Sequence, residues 1–387
     1  MSTEPVYLDY AATTPVDPDV AAAMRSCLGA DGAFANPASI HIAGRKSASL
    51  VDTSRQQLAA LLNTEPARLI WTSGATEADN LAILGGARSR AHRGRHLITM
   101  PTEHKAVTDT FGALEKEGFE VTWIRPESDG LLSLETLASE FRDDTQLVSI
   151  MHVNNETGVI QDIAAIAELC RQRNVLFHTD AAQSVGKLAL DLCDLKVDLL
   201  SLTAHKFYGP QGIGALYIAD HPGCNLRPIM YGGGQERRLR PGTLPVHLIV
   251  GAGRAAEIAA TRRERDLLHV DAMRERLWRG LSGLDGITRN GSQESAYPGL
   301  LNVSAEGVEG ESLMLGLEPV CVASGSACNS MSGEPSHVLR ALGRSDTEAQ
   351  SAVRFSFGRG TTTAEIDIAI DRYRWAVNHL RSIAPGP

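Results

Sequence analysis

Residues 174–218 read NVLFHTDAAQSVGKLALDLCDLKVDLLSLTAHKFYGPQGIGALYI, and three apolar runs in this stretch decide the fold. The runs NVLFHTD, VDLLSLT and IGALYI are short and β-branched or aliphatic on both faces, as strands buried on both sides of a sheet must be. Only residues 203–212 separate the last two. That gap is too short for a crossover, so this pair is expected to be antiparallel. Upstream, ARLIWT, RHLITM, FEVTWI and QLVSIMHV continue the series, with helical stretches such as EADNLAILGGARS and DIAAIAELCRQR between most of them. Strand–helix alternation of this kind predicts an α/β fold with a mainly parallel seven-stranded sheet covered by helices.

Downstream the pattern changes. A long helical stretch covers residues 246–284, and after it short strands (LLNVSA, PVCVAS, AVRFSF) mix with helices (GESLMLGLE, PSHVLRALG and residues 364–383). This reads as a smaller α+β C-terminal domain joined through the long helix. The expected division is a large α/β domain over 16–260 and a small domain over 1–15 and 261–387.

The 387 residues allow two or three domains. The chain carries a formal net charge of −9, which does not suit direct nucleic-acid binding, where basic surface displaces counterions. No apolar run reaches the ~18 residues that span a bilayer, and the N-terminus has no signal-peptide pattern. The expectation is a cytoplasmic protein with no membrane association. The six cysteines (27, 170, 193, 224, 321, 328) contain no CxxC pair, which suits neither a disulfide framework nor a zinc site. Cys170, in an apolar helix, and Cys321, in a strand, read as core. Cys193 and Cys224 lie near turns, where either reading holds. Cys328, in ASGSACNSMSGEPSH, sits among glycines and serines and reads as an accessible loop thiol.

Only six lysines are present, at 46, 105, 116, 187, 196 and 206. Lys206 follows a buried strand and precedes a glycine-rich turn, a place where desolvation favours the free amine of a nucleophilic lysine. The ordinary alternative is a surface lysine at a strand end. Asp180 ends the run NVLFHTD, at the carboxyl end of a strand where open α/β sheets bind ligands; a helix N-cap is its plainer reading. WTSGATEADNLAIL is a strand, a turn and a helix start, able to hold an anion on its N–H groups and the Thr76 hydroxyl. His104, after RHLITM, has the chemistry to stack or move protons. Arg354 lies in the apolar strand AVRFSF, where a charge needs either a partner or a bidentate anionic ligand.

Together these residues resemble the group I cysteine desulfurases of the NifS/IscS family, within the class V, fold-type I enzymes that use pyridoxal 5′-phosphate (PLP). The matching segments are YLDYAATTP, NPASIH, TSGATEADNLAI, TEHKAV, VNNETG, HTDAAQ, AHKFYGPQGIGALY, GGGQERRLRPGT, NVS, ASGSAC, HVLRALG and VRFSFGR, in family order from residue 7 to 359. The resemblance implies that Lys206 carries PLP as a Schiff base. It places Asp180 at the pyridine nitrogen, Gln183 at the ring oxygen and His104 over the ring as stacking and proton-transfer group. Ala75, Thr76, Thr203 and His205 would hold the phosphate, with Thr243 reaching the phosphate of a neighbouring subunit in a homodimer. Asn155 and Arg354 would grip the carboxylate of L-cysteine, Asn155 lying against the cofactor as well. Cys328, on a catalytic loop of about 323–336, would take the sulfur as a persulfide and pass it to an acceptor or iron–sulfur scaffold protein. No metal is expected in the enzyme itself, although Cys328 could share a transient [2Fe–2S] cluster with such a scaffold.

Thr203 stands where the family more usually has serine, and Pro241 where a small residue is common. Housekeeping members often continue beyond the final helix, whereas this sequence ends SIAPGP, which leaves scaffold docking open. A selenocysteine lyase, an aminotransferase, a non-catalytic relative, and the same chemistry serving tRNA or cofactor thiolation are the alternatives. Joint retention of Lys206, Asp180, His104 and the SGSAC motif argues against the second and third.

Overall fold

A computed structural model describes residues 4–324 and 334–383. Its main sheet has seven strands, one for each apolar run read above. In spatial order they are Leu69–Thr72, Gly214–Ile218, Leu199–Thr203, Leu176–Asp180, Thr145–Ser149, His96–Thr99 and Glu120–Trp123. Gly214–Ile218 runs antiparallel to both its neighbours, and the other four pairings are parallel. The short 203–212 connection therefore makes a hairpin, as its length requires. Six of the seven strands are buried at every residue, and Glu120–Trp123, at the sheet edge, is the exception.

Helices cover both faces. Ala75–Arg90 packs one face with Ala78, Leu81, Ala82 and Ile83. The opposite face is closed by Ile42–Leu61, Ile163–Gln172 and the first half of Val246–Leu281. That last helix has 36 residues. Val246, Ile249, Ala252, Ala255, Ala256 and Ala259 join the core of the large sheet. Val270, Met273, Leu277 and Leu281, further along, join a second core. The second core lies against an antiparallel four-stranded sheet ordered Ala323–Ser324, Val353–Ser356, Leu300–Ala305, Ile287–Arg289. Among the described residues no helix is long and apolar enough to cross a membrane.

Four elements differ from the sequence reading. PVCVAS is not one strand. Val320–Cys321 pairs in parallel with Val6–Tyr7, while Ala323–Ser324 pairs with Val353–Ser356. The chain changes partner at Val322. Cys321 is consequently exposed rather than core, because alternation along the strand sends Val320 inward and Cys321 outward. The strands Val6–Tyr7 and Ile287–Arg289 and the helix Asp346–Gln350 are too short to show a period.

Candidate active site

The carboxyl ends of the central strands open into a cavity of about 660 Å³. Leu176–Asp180 and Leu199–Thr203 are hydrogen-bonded neighbours. The first ends on Asp180, and the second runs into a single helical turn, Ala204–Lys206. Two residues 26 positions apart are thereby set at adjacent strand ends, facing one space. Asp180, His104, Asn155, Gln183, Thr203, His205, Lys206 and Arg354 all line this cavity, as do Ala75 and Thr76 at the start of Ala75–Arg90.

Lys206 Nζ donates to the carbonyls of Ala11 and Ala12, each at 2.6 Å. The N-terminal segment YLDYAATTP is thus a wall of the site. Gln183 Nε2 donates to the same Ala11 carbonyl at 2.8 Å. Asp180 is buried, and its Oδ1 accepts from the Ala182 N–H at 2.8 Å. Burial pushes the Asp180 carboxyl above its ordinary value, while His104, the Ala182 N–H and Lys206 oppose that rise. A cationic N–H in the cavity would be a natural partner.

His104 caps the helix Lys105–Lys116, its Nδ1 accepting from the Ala106 N–H at 3.1 Å. With Nδ1 an acceptor, the proton of the neutral ring sits on Nε2. Burial, then Lys206 and His337, hold this imidazole below its usual range against the pull of Asp180. It is a neutral ring at neutral pH. His205 is likewise depressed, to about 4, by burial and then by Lys206 and Lys187. Its Nδ1 lies 3.0 Å from Thr13 Oγ1.

Arg354 is 2% exposed. Its Nη2 donates to Asp9 Oδ1 at 2.7 Å and its Nη1 to the Asn155 carbonyl at 2.9 Å. The ion pair and the cavity-facing position therefore coexist. Buried Asn155 Oδ1 has no hydrogen-bond partner among the described residues. Glu156 faces the same cavity. Its carboxylate accepts a short hydrogen bond from the Ser336 hydroxyl, and burial lifts its carboxyl to about 7.

Thr243 is exposed and does not line this cavity. Cys328 and residues 325–333 of the expected catalytic loop lie outside the described residues. Sequence reasoning missed Asp9, Glu156, His337 and Lys187. Asp9, Glu156 and His337 stand in quoted segments (YLDYAATTP, VNNETG, HVLRALG) and Lys187 follows HTDAAQ, but nothing in a motif says that an aspartate 345 positions from an arginine will meet it.

One other group of side chains has metal-ligand chemistry among the described residues. Asp198, His221 and Cys224 bring donor atoms within 4.8 Å of one another, on the side of the sheet away from the cavity. His221 Nδ1 accepts from the Gly223 N–H at 3.1 Å, so its proton is on Nε2, which donates to Asp198 Oδ1 at 2.7 Å. Cys224 Sγ lies 2.9 Å from the same nitrogen, so the three side chains are joined by hydrogen bonds in this arrangement.

Residues 6–368 match the model of the family described as "Aminotransferase class-V". The chain belongs to this family. It is 56% identical over 382 residues to "Cysteine desulfurase IscS" of Vibrio vulnificus (strain CMCP6), covering 98% of this chain and 95% of that one. The protein of the same name from Shewanella woodyi is 55% identical over the same length. Among solved structures, a "NIFS-LIKE PROTEIN" superposes with a TM-score of 0.90 at 35% identity, covering 97% of this chain and all of the other. A structure titled "SspA in complex with cysteine" does so with a TM-score of 0.80 at 39% identity, over 91% of this chain and 98% of that one. The fold-type I assignment rests on this likeness together with the mixed seven-stranded sheet.

Proposed function

We propose that this class V enzyme is a PLP-dependent cysteine desulfurase, which releases L-alanine from L-cysteine and carries the sulfur as a persulfide on Cys328 to acceptor proteins in iron–sulfur cluster assembly. The observation that carries the reading is a lysine amine, a buried carboxylate and a helix N-terminus converging on one cavity. Those donors suit PLP: Lys206 for its aldehyde carbon, Asp180 for its ring nitrogen, Gln183 for its ring oxygen. Ala75, Thr76, Thr203 and His205 would hold its phosphate, and the unsatisfied Asn155 Oδ1 suits a polar ligand. When bound, the group supplies an electron sink for the substrate's α-carbon.

The chain's own residues do the rest. Arg354 and Asn155 orient the substrate carboxylate. Lys206 takes the α-proton, and neutral His104 stands ready to pass a proton. The Cys328 thiolate attacks the substrate sulfur, so that an S–S bond forms as the Cβ–S bond breaks. L-cysteine plus one thiol gives L-alanine plus one persulfide, and the atoms and electrons balance with no outside oxidant or reductant.

The same reading includes a homodimer. Ile40 and Tyr231 are 90% and 83% exposed, and Phe34 and Ile42 are also exposed, apolar surface that a second copy would cover. Thr243, exposed outside its own cavity, would serve the phosphate of the second copy. A boundary between large and small domains near residue 260 agrees with the long helix passing from one core to the other there.

The Cys328→Ala variant should keep the yellow colour of bound PLP yet form no ³⁵S-persulfide and release no alanine. Alanine release by Cys328→Ala at the wild-type rate would refute the assignment of the nucleophile.

A further inference from the structure

Lys187 lies beside the site, against a smaller cavity that it shares with Lys206, and has no part in the chemistry above. Its Nζ donates to Gln183 Oε1 at 2.7 Å, and Gln183 Nε2 donates to the Ala11 carbonyl that Lys206 also uses. The two lysines are thus joined through two groups, the Gln183 amide and the Ala11 carbonyl. Both also line a small cavity of about 30 Å³, room for a single water, beneath the large one. Gly186 makes the turn that brings Lys187 inward. Its φ is +76°, and a Cβ there would lie 2.7 Å from Phe207 Cβ, so no other residue fits without strain.

An ammonium only donates hydrogen bonds. Lys187 therefore accepts one orientation of the Gln183 amide, oxygen toward itself, and the Gln183 NH₂ must face Ala11 and the large cavity. The charge has consequences too. Lys187 forms no ion pair with a carboxylate among the described residues. Asp266, on the same small cavity, is held by Arg359 at 2.9 Å. The other charged or titratable groups on that wall are Arg263 and the tyrosines 10, 208 and 297, the last with its ring centroid 5.3 Å from Nζ. His205 feels both lysines. Burial, and then Lys206 and Arg354, bring the Lys187 ammonium down to about 7. Repulsion is mutual: a proton on Lys187 opposes a proton on the Lys206 nitrogen.

We propose that Lys187 is a positioning residue for the desulfurase reaction, fixing the Gln183 amide toward the cofactor's ring oxygen and favouring the proton-free state of the Lys206 nitrogen. The inference rests on the PLP reading given above. Both effects act in the same direction, so loss of Lys187 raises the pH at which the Lys206 nitrogen gives up its proton.

The test is a pH titration of the visible absorbance of the PLP-loaded holoenzyme in wild type, Lys187→Met, Lys187→Gln and Lys187→Arg. The midpoint should rise by on the order of one pH unit in the first two variants, and stay near wild type in Lys187→Arg, which keeps the charge. Lys187→Gln reads the charge alone should Lys187→Met not fold. A coloured Lys187→Gln or Lys187→Met protein that titrates at the wild-type midpoint overturns the proposal and leaves Lys187 a packing residue. Colourless wild-type protein would instead refute the cofactor reading, and this inference with it.

Discussion

Asp9 holds Arg354 in place: its Oδ1 accepts from Nη2 at 2.7 Å across 345 positions of sequence. The arginine has almost no contact with water, and the aspartate keeps about a fifth of its side chain exposed. The pair ties the N-terminal segment to the strand Val353–Ser356 and aims the guanidinium at the large cavity. Asp9→Ala leaves a buried cation without its counter-charge. We expect a loss of about 2–3 kcal/mol, below the full cost of breaking a buried pair because Asp9 is partly solvated. The KM for L-cysteine should rise with it, since Arg354 loses its fixed direction. Urea denaturation and alanine-release kinetics check both, and an unchanged KM would show that Arg354 does not hold the substrate.

Glu156 should make stability fall as the pH rises. Burial lifts its carboxyl from 4.5 to about 7, with Ser336 and Arg354 opposing. A group that binds its proton more tightly when folded lends stability that is full below 4.5 and lost as the pH climbs to about 7. The shift corresponds to about 3 kcal/mol. Glu156→Gln cannot ionise and can still accept from Ser336. Its urea midpoint should change less than that of wild type between pH 5 and pH 8. Parallel profiles for the two proteins would show that the Glu156 carboxyl titrates outside this range.

Six of the seven strands were legible because each is an apolar run long enough to show burial on both faces, the edge strand Glu120–Trp123 because it continues the alternation with helices, and the hairpin at 203–212 because ten residues cannot cross a sheet. Lys206, Asp180 and His104 were legible because they follow such runs, at strand ends where a sheet presents its ligand site. The rest depended on long-range packing. The partner change at Val322 and the exposure of Cys321 are decided by Val6–Tyr7, more than three hundred residues away. The Lys187 ammonium is hidden for a related reason. Lys187 and Gln183 are four residues apart in a segment with no helical period, and only the fold brings them to the Ala11 carbonyl.

Thiol chemistry tests the correction at Cys321. Cys193 and Cys321 are exposed, whereas Cys27, Cys170 and Cys224 are buried. Burial holds the Cys170 and Cys224 thiols well above their ordinary value, which starves them of thiolate. In a Cys328→Ser background, native protein should react with a disulfide reagent at two cysteines quickly, and peptide mapping should find them at 193 and 321. Rapid labelling at Cys170 or Cys224 would contradict the packing around Leu176–Asp180.

His104 combines a structural and a chemical duty that one substitution can separate. Its Nδ1 caps the helix Lys105–Lys116 through the Ala106 N–H. Its neutral ring faces the cavity beside Asp180 and Lys206. His104→Ala removes both the cap and the ring, and should cost about 1 kcal/mol of stability as well as activity. His104→Asn restores a capping acceptor but cannot carry a proton at neutral pH. It should therefore recover the thermal midpoint while kcat for alanine release stays down by about 100-fold or more, the usual scale for a lost general acid–base. Wild-type turnover in His104→Asn would reduce the ring to a helix cap and move the proton-transfer role to Lys206 alone.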